Sequence, residues 1–540
     1  MRRTVEVLGI LLGLISVGIF AQLMLEYRST SVWEVDNRGY VLLAQSLSRL
    51  ELPAWNNDPF LYNGHPFVSC GEGKATVKYS LGWPLLLAVG QITGGPEGMM
   101  WVNTVTGVLG ALFFFLLALE LFGGSAAFVL SVIWLSSPHL LGYVVYPLTH
   151  SSDVCAILAS FYFAFLWARK GRRRHALGLG LMAGLAMMIR PANILMWPAM
   201  FLAVPCYRRW GPVPQQGLLP PFWKSFVLAL SLPCLFTALY NMVQFGTPWT
   251  TGYRLSHEQF AFDFSLIPSR WPGLLSMRSY LLDDRVWWAA IAGALWCFKR
   301  KSWLLLVFAL WALPLSYAYF GYYWYTPRFG TAYTRFFLGA LPAVVLCIGA
   351  ILGDLRRVPR LGPLLSLALM IAALIWVWKD PPSRSVALCR GLNSRTRNES
   401  LCTIASYLPR TPTALYSYDG LAYHATLYSQ VLSYRLNDWQ DRHFFSPPGK
   451  ACDNLSPREQ PERHARMHEI YKELGPKGLQ ARLLAQVKSE LENKLTVLFA
   501  PRDAKDLFLS LCDSDPDLEA KEITRPGSPQ RVFQVLQLPK

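Results

Sequence analysis

Residues 152–174 read SDVCAILASFYFAFLWARKGRRR, an apolar run that ends against five basic side chains within six positions. About 17 to 25 apolar residues cross a bilayer as a helix, and Lys and Arg accumulate in cytoplasmic loops. The stretch therefore predicts a spanning helix that descends to the inner face and turns there. Four more basic clusters have to share that face: Arg2-Arg3, Arg208-Arg209, Lys299-Arg300-Lys301, and Arg356-Arg357 with Arg360.

One arrangement satisfies all of them. A helix over 5–25 leaves the cytoplasm, and 26–98 form a long outer loop. Spans over 99–122, 125–145, 152–168, 176–189, 192–206, 222–243, 278–298, 302–320, 336–353 and 361–379 follow. Residues 81–93 are apolar but too short to span, and are expected to lie on the outer surface as an interfacial helix. The first apolar run reads as an uncleaved helix, because a signal peptide has a shorter core and a small-residue cleavage site. The N-terminus is then cytoplasmic and everything beyond 380 extracytoplasmic.

Composition agrees. The chain is 53% hydrophobic and 16% charged, whereas soluble chains carry about 25% charge, and the shortage falls in the first 380 residues. A net charge of +17 would suit nucleic acid, but the basic residues sit at the ends of apolar runs and form no stripe. The implied partner is the bilayer, with no nucleic acid. The expected class is an all-α polytopic membrane domain over 1–380, with about eleven transmembrane helices. A small soluble α/β domain over 381–540 follows it.

In that tail, Thr413–Tyr418, Leu495–Phe499 and Arg531–Leu538 read as strands, and Pro461–Lys494 as helical. Its cysteines, Cys389, Cys402, Cys452 and Cys512, could form two disulfides on an oxidising side, in any of three connectivities; Cys389 with Cys402 is the easiest by separation. The other six, Cys155 and Cys234 among them, read as small apolar fillers. No Cys/His spacing suggests a metal site.

Charges near apolar helices mark candidate chemistry, because the bilayer excludes them unless they are used. Asp36 lies in Trp33-Glu34-Val35-Asp36-Asn37-Arg38-Gly39-Tyr40, soon after the first helix. Partial desolvation there would raise its basicity, as a general base requires; capping a helix or pairing with Arg38 are the plainer roles. Lys78 stands where the chain enters the interfacial helix and could bind a phosphate or simply snorkel. The turn Tyr146-Pro147-Leu148-Thr149-His150-Ser151-Ser152-Asp153 offers Asp153 as a helix cap or as a second carboxylate facing Asp36, with His150 beside it. Arg190, in Gly184-Leu185-Ala186-Met187-Met188-Ile189-Arg190-Pro191, invites an anionic partner. Aromatic segments at 240–253 and 322–336, the second with Arg328 and Arg335, read equally as an interfacial belt or as a bed for a sugar phosphate.

Taken together these motifs resemble the GT-C superfamily of membrane glycosyltransferases. Within it they resemble the branch of protein O-mannosyltransferases and lipid A aminoarabinose transferases. The resemblance covers residues 1–350 or so. It rests on the early loop Asp, the Lys78-Tyr-x-x-Gly-Trp-Pro-Leu-Leu run and the Asp153 turn. Gly-Leu-Ala-x-x-x-Arg-Pro at 184–191, Tyr-Asn-x-x-x-Phe-Gly-x-Pro at 240–248, and Arg335 leading to Leu341-Pro342 complete it. Two positions depart: Asn37 stands where a second acid is common, and Val77-Lys78-Tyr79-Ser80 replaces a Glu-Lys-Pro-Pro. The resemblance implies a sugar donor linked to polyprenyl phosphate, and an acceptor hydroxyl on protein, lipid or glycan. It implies Asp36 as catalytic base, with Asp153 either positioning the acceptor or assisting Asp36. Lys78 would bind the carrier phosphate, with Arg190, Arg335, Tyr40 and His150 as further substrate contacts. No obligate cofactor is implied, although Asp36 with Asp153 could hold a divalent cation. Direct displacement would invert the anomeric carbon, and the expected setting is a bacterial-type inner (cell) membrane. A transporter or a flippase for lipid-linked sugar is the rival reading; the absence of an internal repeat and the clustering of charges on one face count against it.

Overall fold

The computed structural model describes residues 1–28, 35–51, 53, 55–56, 67–69, 74–145, 148–211, 217, 220–256, 262–272, 281–322 and 334–379. Beyond these it describes five short strands of the tail, residue 517, and a few helical residues between 481 and 492. Helices dominate. In chain order they are α1 (Arg2–Glu26), α2 (Val35–Ser48), α3 (Gly82–Phe122), α4 (Gly124–Leu135), α5 (Pro138–Val144), α6 (His150–Lys170) and α7 (Arg173–Ile189). Then come α8 (Trp197–Trp210), α9 (Trp223–Phe245), α10 (Gly252–Leu255), α11 (Asp284–Arg300), α12 (Ser302–Phe320), α13 (Leu341–Leu355) and α14 (Gly362–Lys379). Among the described residues, α1, α3, α6, α9 and α12 are long and apolar enough to cross a membrane, and α4, α13 and α14 are shorter apolar helices. The protein is an integral, multi-pass membrane protein.

Four differences from the sequence reading have local causes. First, the outer loop is not featureless: it carries α2 and a three-stranded sheet, β1 (Trp55–Asn56), β2 (Phe67–Ser69) and β3 (Lys74–Val77), in the order β1-β3-β2. Helix α2 buries Tyr40, Val41, Leu43 and Ala44 on one face, and each large apolar side chain so buried contributes roughly 1.5–3 kcal/mol.

Second, the expected interfacial helix and the span after it are one element with a break. Gly94 and Gly95 leave helical geometry, Gly95 at φ +61°, and Pro96 follows. A Cβ on Gly90 or on Gly98 would strike the other glycine's backbone, although in a straight helix the two would stand about 12 Å apart. The arms therefore fold back as a hairpin.

Third, the run expected over 125–145 is two helices. Ser137, extended at ψ 122°, accepts from the Leu140 amide and precedes Pro138, which together end one helix and cap the next. Fourth, α11 starts at Asp284 rather than 278, where the Asp283 carboxylate accepts from the Arg285 amide at 2.8 Å.

Helix α6 is the hub. Almost every residue from His150 to Ala168 is buried, and it packs between α3, α7 and α8, while α7 lies on α9 and α1 on α4. The basic clusters gather at one end of this bundle. Arg169 pairs with Glu120 at 2.7 Å, Arg356 with Glu6 at 3.0 Å, and Lys301 with Asp354 at 2.8 Å; Arg208 donates to the Ala168 carbonyl at the foot of α6. In the tail, β4 (Thr413–Ser417), β5 (Val431–Arg435), β6 (Thr496–Ala500), β7 (Leu518–Glu522) and β8 (Phe533–Gln537) form one sheet ordered β5-β4-β6-β8-β7. β5, β4 and β6 are parallel, and β8 is antiparallel to both its neighbours. The segment expected to close the sheet lies inside it. Cys389, Cys402, Cys452 and Cys512 lie outside the described residues, whereas Cys155, Cys206, Cys234, Cys297 and Cys347 are free thiols.

The hairpin gives a test. Gly98→Val forces a side chain into the Gly90 carbonyl, and overpacking of this kind costs about 1–3 kcal/mol. The variant is expected to melt several degrees below wild type in detergent. Unchanged melting would mean that the two arms do not touch.

Candidate active site

A cavity of ≈ 470 Å³ opens at the end of the bundle opposite the basic clusters. Its wall draws on stretches far apart in sequence: Asp36 and Tyr40 from α2, Lys78 and Tyr79 from the connection between β3 and α3, Thr149 and His150 from the start of α6, Arg190, and Arg335 with Phe336. Tyr253 and Arg254 of α10 and Ala318 and Tyr319 near the end of α12 also line it. Of the residues singled out in sequence, Asp36, Tyr40, Lys78, His150, Arg190 and Arg335 all meet here. Asp153 does not line the cavity. It stands behind Arg190, 3.7 Å from that guanidinium, and accepts a hydrogen bond from Asn193.

Asp36 sits in the first turn of α2, where a carboxylate is favoured by the helix dipole. Its Oδ1 accepts from the Tyr79 hydroxyl at 2.6 Å, and its Oδ2 lies 3.6 Å from Arg335. Both partners stabilise negative charge and fix the carboxylate's direction. Tyr79 packs on Tyr40 with ring centroids 4.2 Å apart. Burial first, then the charge of Asp36, pushes both phenols well above their ordinary pKa. They therefore stay protonated, and Tyr79 acts as a donor.

Lys78 is 1% exposed. α10 is pressed against it: a Cβ on Gly252 would overlap the Lys78 backbone, so only glycine permits this approach. The contact fixes the Lys78 backbone, and the side chain is buried rather than snorkelling to the surface.

Arg190 ends α7. It is extended, as a residue before proline tends to be, and Pro191–Met196 continue as a 3₁₀ turn. The guanidinium donates to the Thr149 hydroxyl at 2.9 and 3.1 Å and approaches His150 Nδ1 at 2.8 Å. Arg190 and Arg335 both lie over the Phe336 ring, at 5.8 and 5.3 Å, and Phe336 stacks on Tyr319. Asn193, which the sequence reading passed over, also donates to the Ala186 carbonyl at 2.8 Å; its position inside the helix-breaking Pro191 turn was the available signal. Among the described residues of the cavity wall, four cations, Lys78, Arg190, Arg254 and Arg335, face one carboxylate, that of Asp36. Such a surface attracts anions. Among the described residues no group of three or more His, Cys, Asp or Glu side chains is placed to hold a metal ion.

Residues 85–240 match the family model described as dolichyl-phosphate-mannose-protein mannosyltransferase. Among solved structures, the chain is similar to ArnT from Cupriavidus metallidurans bound to undecaprenyl phosphate. That likeness has 13% identity and a TM-score of 0.55, and covers 97% of each chain. The chain shares the fold of that structure. It is similar also to the apo oligosaccharyltransferase of Archaeoglobus fulgidus, at 12% identity and a TM-score of 0.51, over 91% of this chain and 69% of that one. No curated protein matches it in sequence. The resemblance to the O-mannosyltransferase and aminoarabinose-transferase branch accordingly stands.

Asp153 and Arg190 form a buried pair whose value a double-mutant cycle reads. Asp153→Ala strands the guanidinium, and breaking such a pair costs about 3–5 kcal/mol. Replacing both, as Asp153→Leu with Arg190→Met, is expected to cost less than Asp153→Ala alone. Additive losses in melting temperature would show that the two are not coupled.

Proposed function

We propose that this protein is an inverting glycosyltransferase that moves a sugar from a polyprenyl-phosphate carrier to an acceptor hydroxyl at the outer face of the membrane. The observation that carries the reading is the meeting of one carboxylate, Asp36, with Lys78, Arg190, Arg254 and Arg335 in a single cavity among apolar helices. The first similar structure is bound to undecaprenyl phosphate, and a lipid-linked phosphate has the charge this wall favours.

In the proposed reaction Asp36 takes the proton of the acceptor hydroxyl as its oxygen attacks the anomeric carbon. The bond to the carrier phosphate breaks on the opposite face, and the electron pair leaves with the phosphate. Lys78 and the arginines stabilise the charge that grows there. Phosphate needs no strong acid to leave, so the demanding step is deprotonation, and a single displacement inverts the configuration as it does in inverting sugar hydrolases. The hydrogen bond from Tyr79 and the nearby Arg335 hold Asp36 aimed. Asp153 acts indirectly in this scheme, by placing Arg190. We retain eleven crossings with a cytoplasmic N-terminus, and read the sheet-bearing tail as an extracytoplasmic domain. The acceptor in this reading is a hydroxyl on protein, lipid or glycan.

The test uses purified protein in nanodiscs with a polyprenyl-phosphate sugar. Asp36→Asn should lower transfer by about 10² to 10⁴-fold, the usual range for a removed general base, while carrier binding is kept. Lys78→Ala should weaken carrier binding. Full turnover by Asp36→Asn would remove the proposed base.

A further inference from the structure

A second cavity, ≈ 610 Å³, lies at the opposite end of the bundle. Helix α12 joins the two: Ala318 and Tyr319 line the Asp36 cavity and Ser302–Leu304 line this one, a separation of about 24 Å at 1.5 Å per residue. Its wall brings together two of the basic clusters that the sequence reading used only as markers of sidedness, beside the aromatic end of α8. The end of α8 contributes Tyr207 and Trp210, the α11–α12 junction Arg300 and Lys301, and the loop after α13 Arg357.

The charges do not cancel. Asp354 is the acid beside the wall; it accepts from Lys301 at 2.8 Å and from Trp296 at 2.9 Å, with Arg357 at 3.7 Å. Neighbouring Glu120 and Glu6 are occupied by Arg169 and Arg356. Arg300 lies over the Trp296 ring, 5.7 Å from its centroid, which leaves its edge available to an anion. Three cations against one carboxylate leave a surplus of two.

Most of the remaining wall is apolar, with Leu121, Phe122, Trp303, Leu304 and Leu306. Leu306 and Trp210 are exposed, one a turn inside an apolar helix and the other at the end of α8. Tryptophan at that level is typical of the membrane interface. A free phosphate or a nucleotide would have no use for such a lining, whereas a lipid uses both parts: its head group meets the cations and its acyl chains follow the leucines.

We infer that this cavity is a binding site for an anionic phospholipid, with the phosphodiester held by Arg300, Lys301 and Arg357. Basic pockets between helices on the Lys/Arg-rich side of a membrane bind lipids of this class. The site is separate from the transfer chemistry, and its occupation would tie α8, α11, α12 and α13 together.

The experiment is native mass spectrometry of the full-length protein released from nanodiscs of phosphatidylglycerol and phosphatidylcholine in equal parts, with melting temperature measured in parallel. Wild type should retain phosphatidylglycerol at least tenfold over phosphatidylcholine and melt higher when it is present. Arg300→Gln with Arg357→Gln should lose that preference, and Arg300→Lys with Arg357→Lys should restore part of it; both residues are exposed, so folding is not at stake. Should the double variant nonetheless fail to fold, each single Gln variant is expected to lower the preference. Inorganic phosphate at millimolar concentration should neither stabilise the protein nor displace lipid. Equal retention of the two lipids, unchanged preference in the Gln variants, or stabilisation by inorganic phosphate alone would each overturn the proposal.

Discussion

The Asp36 carboxylate, gripped by the Tyr79 hydroxyl on one oxygen and faced by Arg335 on the other, is the interaction on which the Asp36 end depends. It ties the start of α2 to the segment after β3 and to the turn before α13, reinforced by the packing of Tyr79 on Tyr40. A low dielectric makes such a contact count for more than it would in water, and makes its loss costly. Around it the same end buries Lys78 and shields Arg190, charges that a helix bundle tolerates only when it has something to balance them.

A second polar layer supports the first. Asn193 holds Asp153, Asp153 faces Arg190, and Arg190 holds Thr149 and His150 at the wall. The sequence offered Asp153 and Asp36 as possible equals. Their surroundings separate them: one carboxylate opens on the cavity, and the other is closed off behind a guanidinium.

Much of the fold was legible because a bilayer imposes a harsh grammar. The helix at Ser302–Phe320 falls where the apolar run placed it, and those at Trp223–Phe245 and Gly362–Lys379 lie within two residues of their expected bounds. What escaped was set by local stereochemistry rather than by hydrophobicity. Ser137-Pro138 divides an unbroken apolar run, and Gly94-Gly95-Pro96 folds a helix onto itself; neither alters the average that a span is read from. Helix α2 hid for the opposite reason, since its mixed composition resembles a loop until the Tyr40–Leu43–Leu47 spacing is given weight. The cavity residues were legible as charges out of place, but Asn193, Tyr79 and Gly252 were not, because an amide, a phenol and a glycine beside apolar helices attract no notice until their neighbours are known. Strands β5 and β7 were missed because both are edge strands of mixed composition, VLSYR and LEAKE, in which apolar residues give no clear signal.

The wall of the Asp36 cavity takes its members from positions as far apart as 36 and 335. During synthesis the first of them reaches the membrane hundreds of residues before the last. No shorter nascent chain can contain the assembled pocket, so the protein passes through most of its biogenesis chemically mute, and a message truncated anywhere before the α12–α13 connection yields helices but no site.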